Sequence, residues 1–234
     1  MVAIYIKKLR NKNVLRFQCA GVLVHPKLVL TAAHCEHRIA VKDRGQRRVK
    51  VRSIVQHGNW ARDPENVSYD LAVLELKKPA PYTSASQPIC LPGKSDRAGS
   101  LKWACIALGW GHTEPGETSP LSTVLRYVSV PVWSQQKCAE RWGVIDDSML
   151  CAGTTYVTDK SEATGPCIRD SGGPLICSKD MEEWYVMGIV SHGSEPCLLY
   201  MPTVFANVSH MVNFVKRIAR QKDLTLPQAR LRKG

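Results

Sequence analysis

The sequence lacks several features that would assign the protein to common classes. None of its apolar runs approaches the roughly 18 to 20 residues that a membrane-spanning helix needs, so no membrane span is predicted. It has no Cys-x-x-Cys pair, internal repeat, low-complexity tract or nucleic-acid-binding motif. It also lacks a secretory signal, because Met1 is followed by a short strand-like run and then Lys7 and Lys8. Either an upstream segment precedes this chain, or its start lies elsewhere.

Acidic residues are scarce and cysteine is abundant. The 234 residues include 20 Asp and Glu against 32 Lys and Arg, which gives a formal net charge of +12. Hydrophobic residues at 44% and charged residues at 22% are typical of a globular chain and not of a disordered one. Nine cysteines without metal-site spacing indicate disulfides and an oxidising compartment. Because nine is odd, one cysteine has no partner within the chain.

The hydrophobic periodicity predicts short strands and little helix. Apolar or β-branched runs separated by Gly, Pro, Asn and Asp indicate an all-β protein. These runs cover residues 2–6, 22–24, 49–55, 71–76, 105–108, 124–130, 175–177, 184–190 and 203–206. The one predicted helix covers residues 211–221, where Val212, Val215 and Ile218 recur on one face. A polar stretch at 92–99 separates two halves, and the basic end, 228–234, is predicted to be a mobile tail.

Three segments carry candidate catalytic chemistry. Residues 30–35 read Leu-Thr-Ala-Ala-His-Cys and place His34 at the end of an apolar run. Residues 69–74 read Tyr-Asp-Leu-Ala-Val-Leu and place Asp70 at the entrance to a buried strand. Residues 167–174 read Cys-Ile-Arg-Asp-Ser-Gly-Gly-Pro and place Ser171 in a tight turn. Each segment alone fits an ordinary turn or core position, but the order His, Asp, Ser favours a hydrolytic site.

The chain resembles the chymotrypsin-like serine proteases over nearly its whole length. Further matching segments are Gln-Pro-Ile-Cys-Leu-Pro at 87–92, Gly-Trp-Gly at 109–111, Met-Leu-Cys-Ala-Gly at 149–153 and Ser-His-Gly at 191–193. The resemblance implies an all-β fold of two antiparallel β-barrels, with the active site between them and a C-terminal helix. It places the first barrel at about 1–91, a linker at 92–100, the second barrel at about 101–209, the helix at about 210–221 and a basic tail at 223–234.

The resemblance also implies a role for each candidate residue. Ser171 is the nucleophile, His34 is the general base and acid, and Asp70 orients the imidazole. The backbone N–H groups of Arg169 and Ser171 receive the developing oxyanion. The implied disulfides join Cys19 to Cys35, Cys105 to Cys177, Cys138 to Cys151 and Cys167 to Cys197. Cys90 is left over, and it either bridges to an upstream pro-segment or is a free surface thiol.

The sequence departs from the family at the segment that activates its members. Active relatives begin with an Ile-Val-Gly-Gly-like terminus, whose amine pairs with the aspartate before the catalytic serine, here Asp170. No such segment occurs in this sequence. A buried carboxylate without its cation is unfavourable, so we expect this polypeptide alone to be zymogen-like.

Two further departures lie beside the predicted cleft. Arg169 stands where the family nearly always has glycine, and its long cationic side chain would crowd the leaving-group side. We therefore expect lower sensitivity to protein inhibitors and an altered preference after the cut. His192, between Ser191 and Gly193, stands where the family usually has tryptophan. This change either offers less apolar area to the substrate or is simply tolerated.

The predicted substrate pocket has no carboxylate at its floor. Gly165, followed by Pro166, occupies the position of the aspartate that trypsin-like relatives carry. Gly193 leaves the mouth open, and Thr203 shortens the pocket. We expect cleavage after small or medium apolar residues, although the long loop at 154–164 could supply other groups. Peptide or protein substrates and protein inhibitors are the expected partners, with no cofactor.

The remaining features concern the surface. The sequence predicts no metal site, since the 42–46 region has no acidic cluster and the other histidines lack ligand spacing. Asn66 and Asn207 begin glycosylation sequons, of which the first is the better candidate. Basic residues form either a solvated face or a site for a heparin-like polyanion. These residues are Arg44, Arg47, Arg48, Lys50, Arg52, Lys216, Arg217, Arg220 and Lys222.

Two functional hypotheses from different classes follow from these observations. The first is a secreted serine endopeptidase that is made as a zymogen. The second is a non-catalytic homologue that binds partners through the same scaffold. The intact His34, Asp70 and Ser171 favour the enzyme, whereas Arg169 leaves the second hypothesis open.

Overall fold

Short strands dominate the computed structural model of the chain, as the turn-punctuated sequence predicts. The structure describes residues 1–7, 15–35, 39–42, 48–60, 67–84, 86–96, 103–113, 120–154, 165–194, 197 and 201–227. The strands are β1 (Val2–Lys7), β2 (Leu15–His25), β3 (Leu28–Thr31), β4 (Ile39–Lys42), β5 (Arg48–Gln56), β6 (Ala72–Leu76), β7 (Ala104–Gly109), β8 (Arg126–Ser129), β9 (Met149–Ala152), β10 (Pro174–Ser178), β11 (Tyr185–His192) and β12 (Thr203–Asn207). The helices are α1 (Gln135–Trp142) and α2 (Val208–Gln221). The predicted tail at 228–234 lies outside the described residues.

The first six strands form a closed antiparallel barrel. Their order around the barrel is β1-β2-β3-β6-β5-β4, and β1 pairs with both β2 and β4. The closure leaves no free sheet edge in this half, which is one way that all-β proteins avoid edge-to-edge association. Ile4, Leu28, Leu30 and Leu74 are fully buried inside it. The apolar runs of the first half therefore supply one continuous core.

The second half is a six-stranded antiparallel sheet that also curls back on itself. Its order is β8-β7-β10-β11-β12-β9. The chain after β8 returns to the far edge, where Trp133 N–H donates to the Cys151 carbonyl at 2.8 Å and Gly153 N–H to the Pro131 carbonyl at 3.1 Å. The fully buried Phe205 belongs to its core. The predicted fold class, two antiparallel β units with a C-terminal helix, is confirmed.

The two helices differ in how well the sequence predicts them. α2 begins at Val208, earlier than the predicted 211, because Asn207 caps it by accepting a hydrogen bond from His210 N–H at 3.4 Å. Its apolar face packs on the core of the first barrel. The sequence prediction missed α1, whose Cys138 is its one buried residue. No helix in the described ranges is long and apolar enough to cross a membrane.

Hydrogen bonds across the interface between the two halves hold the segment before Asp70. Ser68 Oγ donates to Asp146 Oδ2 at 2.6 Å, and Tyr69 N–H donates to Ser148 Oγ at 2.9 Å. Ser148 N–H in turn donates to Asp146 Oδ1 at 2.7 Å. Tyr69 has a φ of 56°, in the left-handed region. The second half therefore fixes an unusual turn of the first half immediately before Asp70.

The Asp146 carboxylate is stabilised in its charged form by these bonds. Partial burial on its own would raise the pKa of Asp146, but hydrogen bonds from Ser148 and Ser68 outweigh burial and lower it. A lowered pKa in the folded state contributes stability above the carboxyl group's unfolded pKa. That contribution is lost as the pH falls through the lower, folded-state pKa. The contribution of Asp146 to the free energy of unfolding should therefore decrease on acidification.

We expect Asp146→Asn to lower the free energy of unfolding at pH 7 by about 1 to 2 kcal/mol, the range for hydrogen bonds to a charged group at a partly exposed site. The difference from the unmodified protein should shrink as the pH falls below about 4, where aspartic acid protonates. Urea unfolding with intact disulfides at several pH values measures both quantities. Asp147→Asn, at an exposed neighbouring position, is the matched control. A difference that stays constant between pH 7 and pH 3 would contradict this account.

Candidate active site

A buried aspartate and a histidine form the most constrained pair in the cleft. His34 lies in a short 3₁₀ turn after β3, and Asp70 lies just before β6. His34 Nδ1 and Asp70 Oδ2 are 2.7 Å apart, and His34 N–H donates to Asp70 Oδ1 at 2.9 Å. Ser191 Oγ, from β11 in the other half, donates to Asp70 Oδ2 at 2.6 Å. This arrangement directs Nδ1–H toward the carboxylate and leaves Nε2 as the basic nitrogen.

The electrostatics of Asp70 favour its ionised form despite burial. Asp70 is 1% exposed, and burial on its own would raise its pKa. The hydrogen bonds and charge of His34, together with the hydroxyl of Ser191, outweigh burial, so the pKa of Asp70 is lowered. Asp70 is therefore a carboxylate throughout the neutral pH range.

Ser171 lies in a turn that backbone hydrogen bonds hold on both sides. Gly172 N–H donates to the Val190 carbonyl at 2.8 Å, and the Ser171 carbonyl accepts from Ala20 N–H at 2.8 Å. Ser171 and His34 line the same cavity of about 410 Å³. No hydrogen bond joins these two described side chains, which is common in a cleft without a substrate. The structure thus brings all three sequence-predicted residues to one site.

The residues before Ser171 shape a possible oxyanion site. Arg169 has a φ of 75°, which a glycine adopts with less strain. Ser171 N–H donates to no acceptor in the part of the chain that the structure describes. Arg169 thus has the positive φ that glycine, the usual residue of the family at this position, adopts most readily. The Arg169 side chain reaches Gln18, with Nη1 3.4 Å from Oε1.

Asp170 points away from the cleft into a second cavity of about 260 Å³. Its carboxyl group accepts hydrogen bonds from Gly111 N–H at 2.7 Å and Cys167 N–H at 3.0 Å. A Cβ at Gly109 or Gly111 would overlap that carboxyl group, so glycine is required there. Burial raises the pKa of Asp170, although these hydrogen bonds and the charge of His112 oppose the rise. No side-chain cation of the described residues forms an ion pair with it.

The predicted substrate-pocket residues lie together around a cavity of about 210 Å³. None of the described residues that line it is acidic. Gly193 is exposed, and a Cβ there would lie 3.8 Å from Thr203 Oγ1, so the threonine hydroxyl faces the mouth. The predicted members are Gly165, Pro166, Ser191, His192, Gly193 and Thr203. The loop at 155–164 lies outside the described residues.

His192 forms a wall of this pocket with a partner that the sequence did not reveal. Its ring packs edge-on against Trp142 of α1, with centroids 5.4 Å apart and planes at 88°. Trp142 Nε1–H donates to the Pro202 carbonyl at 2.9 Å, which fixes the indole. Nδ1 of His192 lies 3.2 Å from Ser191 Oγ. Burial lowers the pKa of His192, with an opposing contribution from Asp70.

The cysteines form four disulfides in the pairs that the resemblance implies. These are Cys19–Cys35, Cys105–Cys177, Cys138–Cys151 and Cys167–Cys197. The ninth cysteine, Cys90, is a half-buried free thiol, and burial together with Glu183 raises its pKa. Cys19, His34 and Cys35 cluster closely enough to suggest metal ligands. Both sulfurs belong to a disulfide, however, and a disulfide offers no thiolate to a metal.

Sequence reasoning missed two residues that border the cleft. Arg16 and His112 line the same cavity as His34 and Ser171. Arg16 lies on β2, far from the other site residues in sequence, and His112 had no spacing pattern that marked it. Of the glycosylation candidates, Asn66 lies outside the described residues. Asn207 is engaged as the cap of α2, and its Nδ2 donates to the Asp147 carbonyl at 3.0 Å.

Comparisons with known proteins agree with this geometry. The family model described as Trypsin matches residues 1–215. Rat kallikrein-8 is 31% identical over 222 residues, which cover 89% of this chain and 79% of that protein. Human kallikrein-8 is 33% identical over 218 residues, covering 87% and 78%. The solved structure of neuropsin, a serine protease expressed in the limbic system of mouse brain, shares 28% identity. It has a TM-score of 0.77, and the match covers 93% of this chain and 92% of that one. The chain therefore belongs to the trypsin family of chymotrypsin-like serine endopeptidases.

Proposed function

We propose that the chain cleaves peptide bonds through Ser171, His34 and Asp70. The observation that carries the proposal is the buried Asp70 carboxylate, which holds His34 Nδ1 at 2.7 Å on the rim of the cavity that Ser171 also lines. In the proposed reaction His34 Nε2 takes the proton of Ser171 Oγ as the oxygen attacks the substrate carbonyl. The same nitrogen then protonates the leaving amine, and water hydrolyses the acyl-enzyme.

The remaining groups assist this reaction. The backbone N–H groups of Arg169 and Ser171 would donate to the oxyanion, in a turn held by Gly172 N–H. Ser191 Oγ completes the hydrogen bonding of Asp70 and keeps its second oxygen aligned with His34. The Arg169 side chain occupies the leaving-group side, where it would obstruct the rigid loops of protein inhibitors. These roles need no cofactor.

We expect Ser171→Ala and Asp70→Asn to reduce kcat by about 10⁴-fold or more, because they remove the nucleophile and the acceptor that orients His34. A fluorophosphonate probe should label the activated protein and should not label Ser171→Ala. Steady-state hydrolysis of a peptide ester measures the loss for Asp70→Asn, with Asp147→Asn as the charge-matched control. A folded, activated protein that neither hydrolyses the ester nor reacts with the probe would favour the non-catalytic binding module.

The primary specificity that we propose is for small or medium apolar residues before the cut. The 210 Å³ cavity has no acidic residue among its described lining, so no carboxylate of those residues would neutralise a substrate Lys or Arg. The Thr203 hydroxyl faces the pocket mouth opposite Gly193 and limits its depth.

A peptide library that varies the residue before the cut tests this preference. We expect Ala and Val to exceed Arg, and we expect Thr203→Gly to shift kcat/KM toward Phe by about tenfold or more as the pocket lengthens. Ser194→Ala, which also changes a hydroxyl on the same cavity, is the control. A dominant Arg preference in the unmodified enzyme would overturn the proposed specificity.

Secretion and activation by an upstream segment are also part of the proposed function. Four disulfides are typical of proteins from oxidising compartments. The buried Asp170 carboxyl group borders a cavity that could admit an amine as its counter-charge. The free Cys90 thiol would bridge to the pro-segment. Asn66 is favoured as the glycosylated residue, because the Nδ2 of Asn207, where a glycan would attach, already donates to the Asp147 carbonyl.

A polyanion such as heparin is the proposed ligand of one basic surface. Alternation along β5 exposes Arg48, Lys50 and Arg52 on a single face. Glu75 joins this face to the end of α2, since it lies 3.6 Å from Arg52 Nε and 2.6 Å from Lys222 Nζ. The basic segments on β5 and at the end of α2 therefore lie next to each other. Arg44 and Arg47 lie outside the described residues.

We expect the protein to stay on a heparin column well above physiological salt, about 0.15 M, because several cations act together. The double variant Arg48→Gln/Lys50→Gln should elute at distinctly lower salt. A double variant of the exposed Lys137 and Arg141 on α1 to Gln, which loses the same charge elsewhere, should elute later than the β5 variant. Equal elution of the two double variants would show that only net charge matters.

A further inference from the structure

Ser171 borders two cavities; Ile168 and Arg169 also line both, and the rest of their lining differs. The 210 Å³ cavity contains the specificity-pocket residues, such as Gly193 and Thr203, and does not contain His34. The 410 Å³ cavity contains His34 together with Ser171. In the proposed reaction His34 must reach the nitrogen of the leaving amine. The substrate residues that follow the cut therefore lie in the larger cavity.

The charged lining of this larger cavity is basic. Arg16 from β2 and Arg169 from the turn before Ser171 are its two permanently charged members. His34 and His112 are its other ionisable members, and none of the described residues that line it is acidic. Gln18 also lines this cavity, and its Oε1 is 3.4 Å from Arg169 Nη1. A guanidinium from each half of the molecule thus borders the space for the leaving segment.

Arg16 is accessible to a ligand from solvent. Strand β2, which carries it, has no acidic residue. Arg16 is exposed and forms no ion pair with a carboxylate of the described residues. Its guanidinium therefore favours a negatively charged ligand in the cavity that it lines.

We propose that the enzyme prefers substrates with Asp or Glu at one of the two positions after the cut, and that Arg16 and Arg169 bind this carboxylate. The inference rests on the proposed function and specifies its substrate class. Guanidinium groups present paired donors that match a carboxylate. Because the cavity is open to water, the expected discrimination is modest, about three- to tenfold between an acidic side chain and its uncharged isostere.

The test uses internally quenched peptides that share one apolar residue before the cut and differ only after it. Glu, Gln and Lys are placed in turn at the first and the second leaving position, so that Glu and Gln compare charge at constant shape. We expect kcat/KM to fall in the order Glu, Gln, Lys at one of these positions. The ratio of Glu to Gln should shrink toward one in about 1 M NaCl, where the screening length is only about 3 Å.

The variants Arg16→Gln and Arg169→Gln assign the effect to its residues. In each variant, kcat/KM for the Glu peptide divided by kcat/KM for the Gln peptide should be lower than in the unmodified enzyme. A general loss of activity cancels in this ratio. Gln at position 169 is also a long non-glycine residue, so the variant leaves the backbone strain of the positive φ unchanged. Lys78→Gln, which loses the same charge at an exposed position after the end of β6 opposite Asp70, should leave the ratio unchanged.

A peptide ester with no amino acid after the cleaved bond separates this inference from the proposed function. Hydrolysis of the ester with equal rates for the Glu and Gln peptides would overturn the acidic preference and leave the protease intact. A Glu preference that persists in both arginine variants would overturn their assignment. Failure of the folded, activated protein to cleave the ester or to react with a fluorophosphonate would overturn both proposals.

Discussion

The buried carboxylate of Asp70 is the interaction on which the rest of the site depends. Its oxygens accept from His34 N–H, His34 Nδ1–H and Ser191 Oγ–H. A carboxylate that is 1% exposed is stable only when such donors surround it. Because the donors come from both halves of the molecule, the same bonds orient the imidazole and align the two β units. Loss of any donor would therefore disturb the fold and the chemistry together.

The turn at residues 169–172 shows a local strain that the surrounding structure maintains. Arg169 adopts a φ of 75°, which costs a non-glycine residue of order 1 kcal/mol. Hydrogen bonds at Gly172, Gly173 and the Ser171 carbonyl hold the turn in place. A glycine would make the same turn without that cost. Strain of this kind clusters at functional sites, and this turn carries Ser171.

The sequence predicted the parts that short motifs encode and missed those that depend on long-range packing. His34, Asp70 and Ser171 each lie in a distinctive segment, so the resemblance located them together. Helix α1 has only Cys138 buried, so it shows no apolar stripe that a periodicity argument could detect. Its start depends on the Ser134 side chain, which accepts from Lys137 N–H at 3.3 Å. Arg16 likewise reaches the cleft through long-range contacts of β2, namely the Cys19–Cys35 disulfide and the hydrogen bond from Ala20 N–H to the Ser171 carbonyl.

The contact between His192 and Trp142 alters how the pocket is affected by having histidine where the family usually has tryptophan. Considered alone, His192 offers the substrate less apolar area than an indole. The Trp142 ring packs perpendicular to it and supplies aromatic surface from α1. Burial lowers the pKa of His192, so the imidazole is neutral near pH 7 and adds no charge to an apolar subsite. Its Nδ1–H can then donate to Ser191 Oγ, which donates to Asp70. The histidine thus extends the hydrogen-bonded network of the active site into the pocket wall.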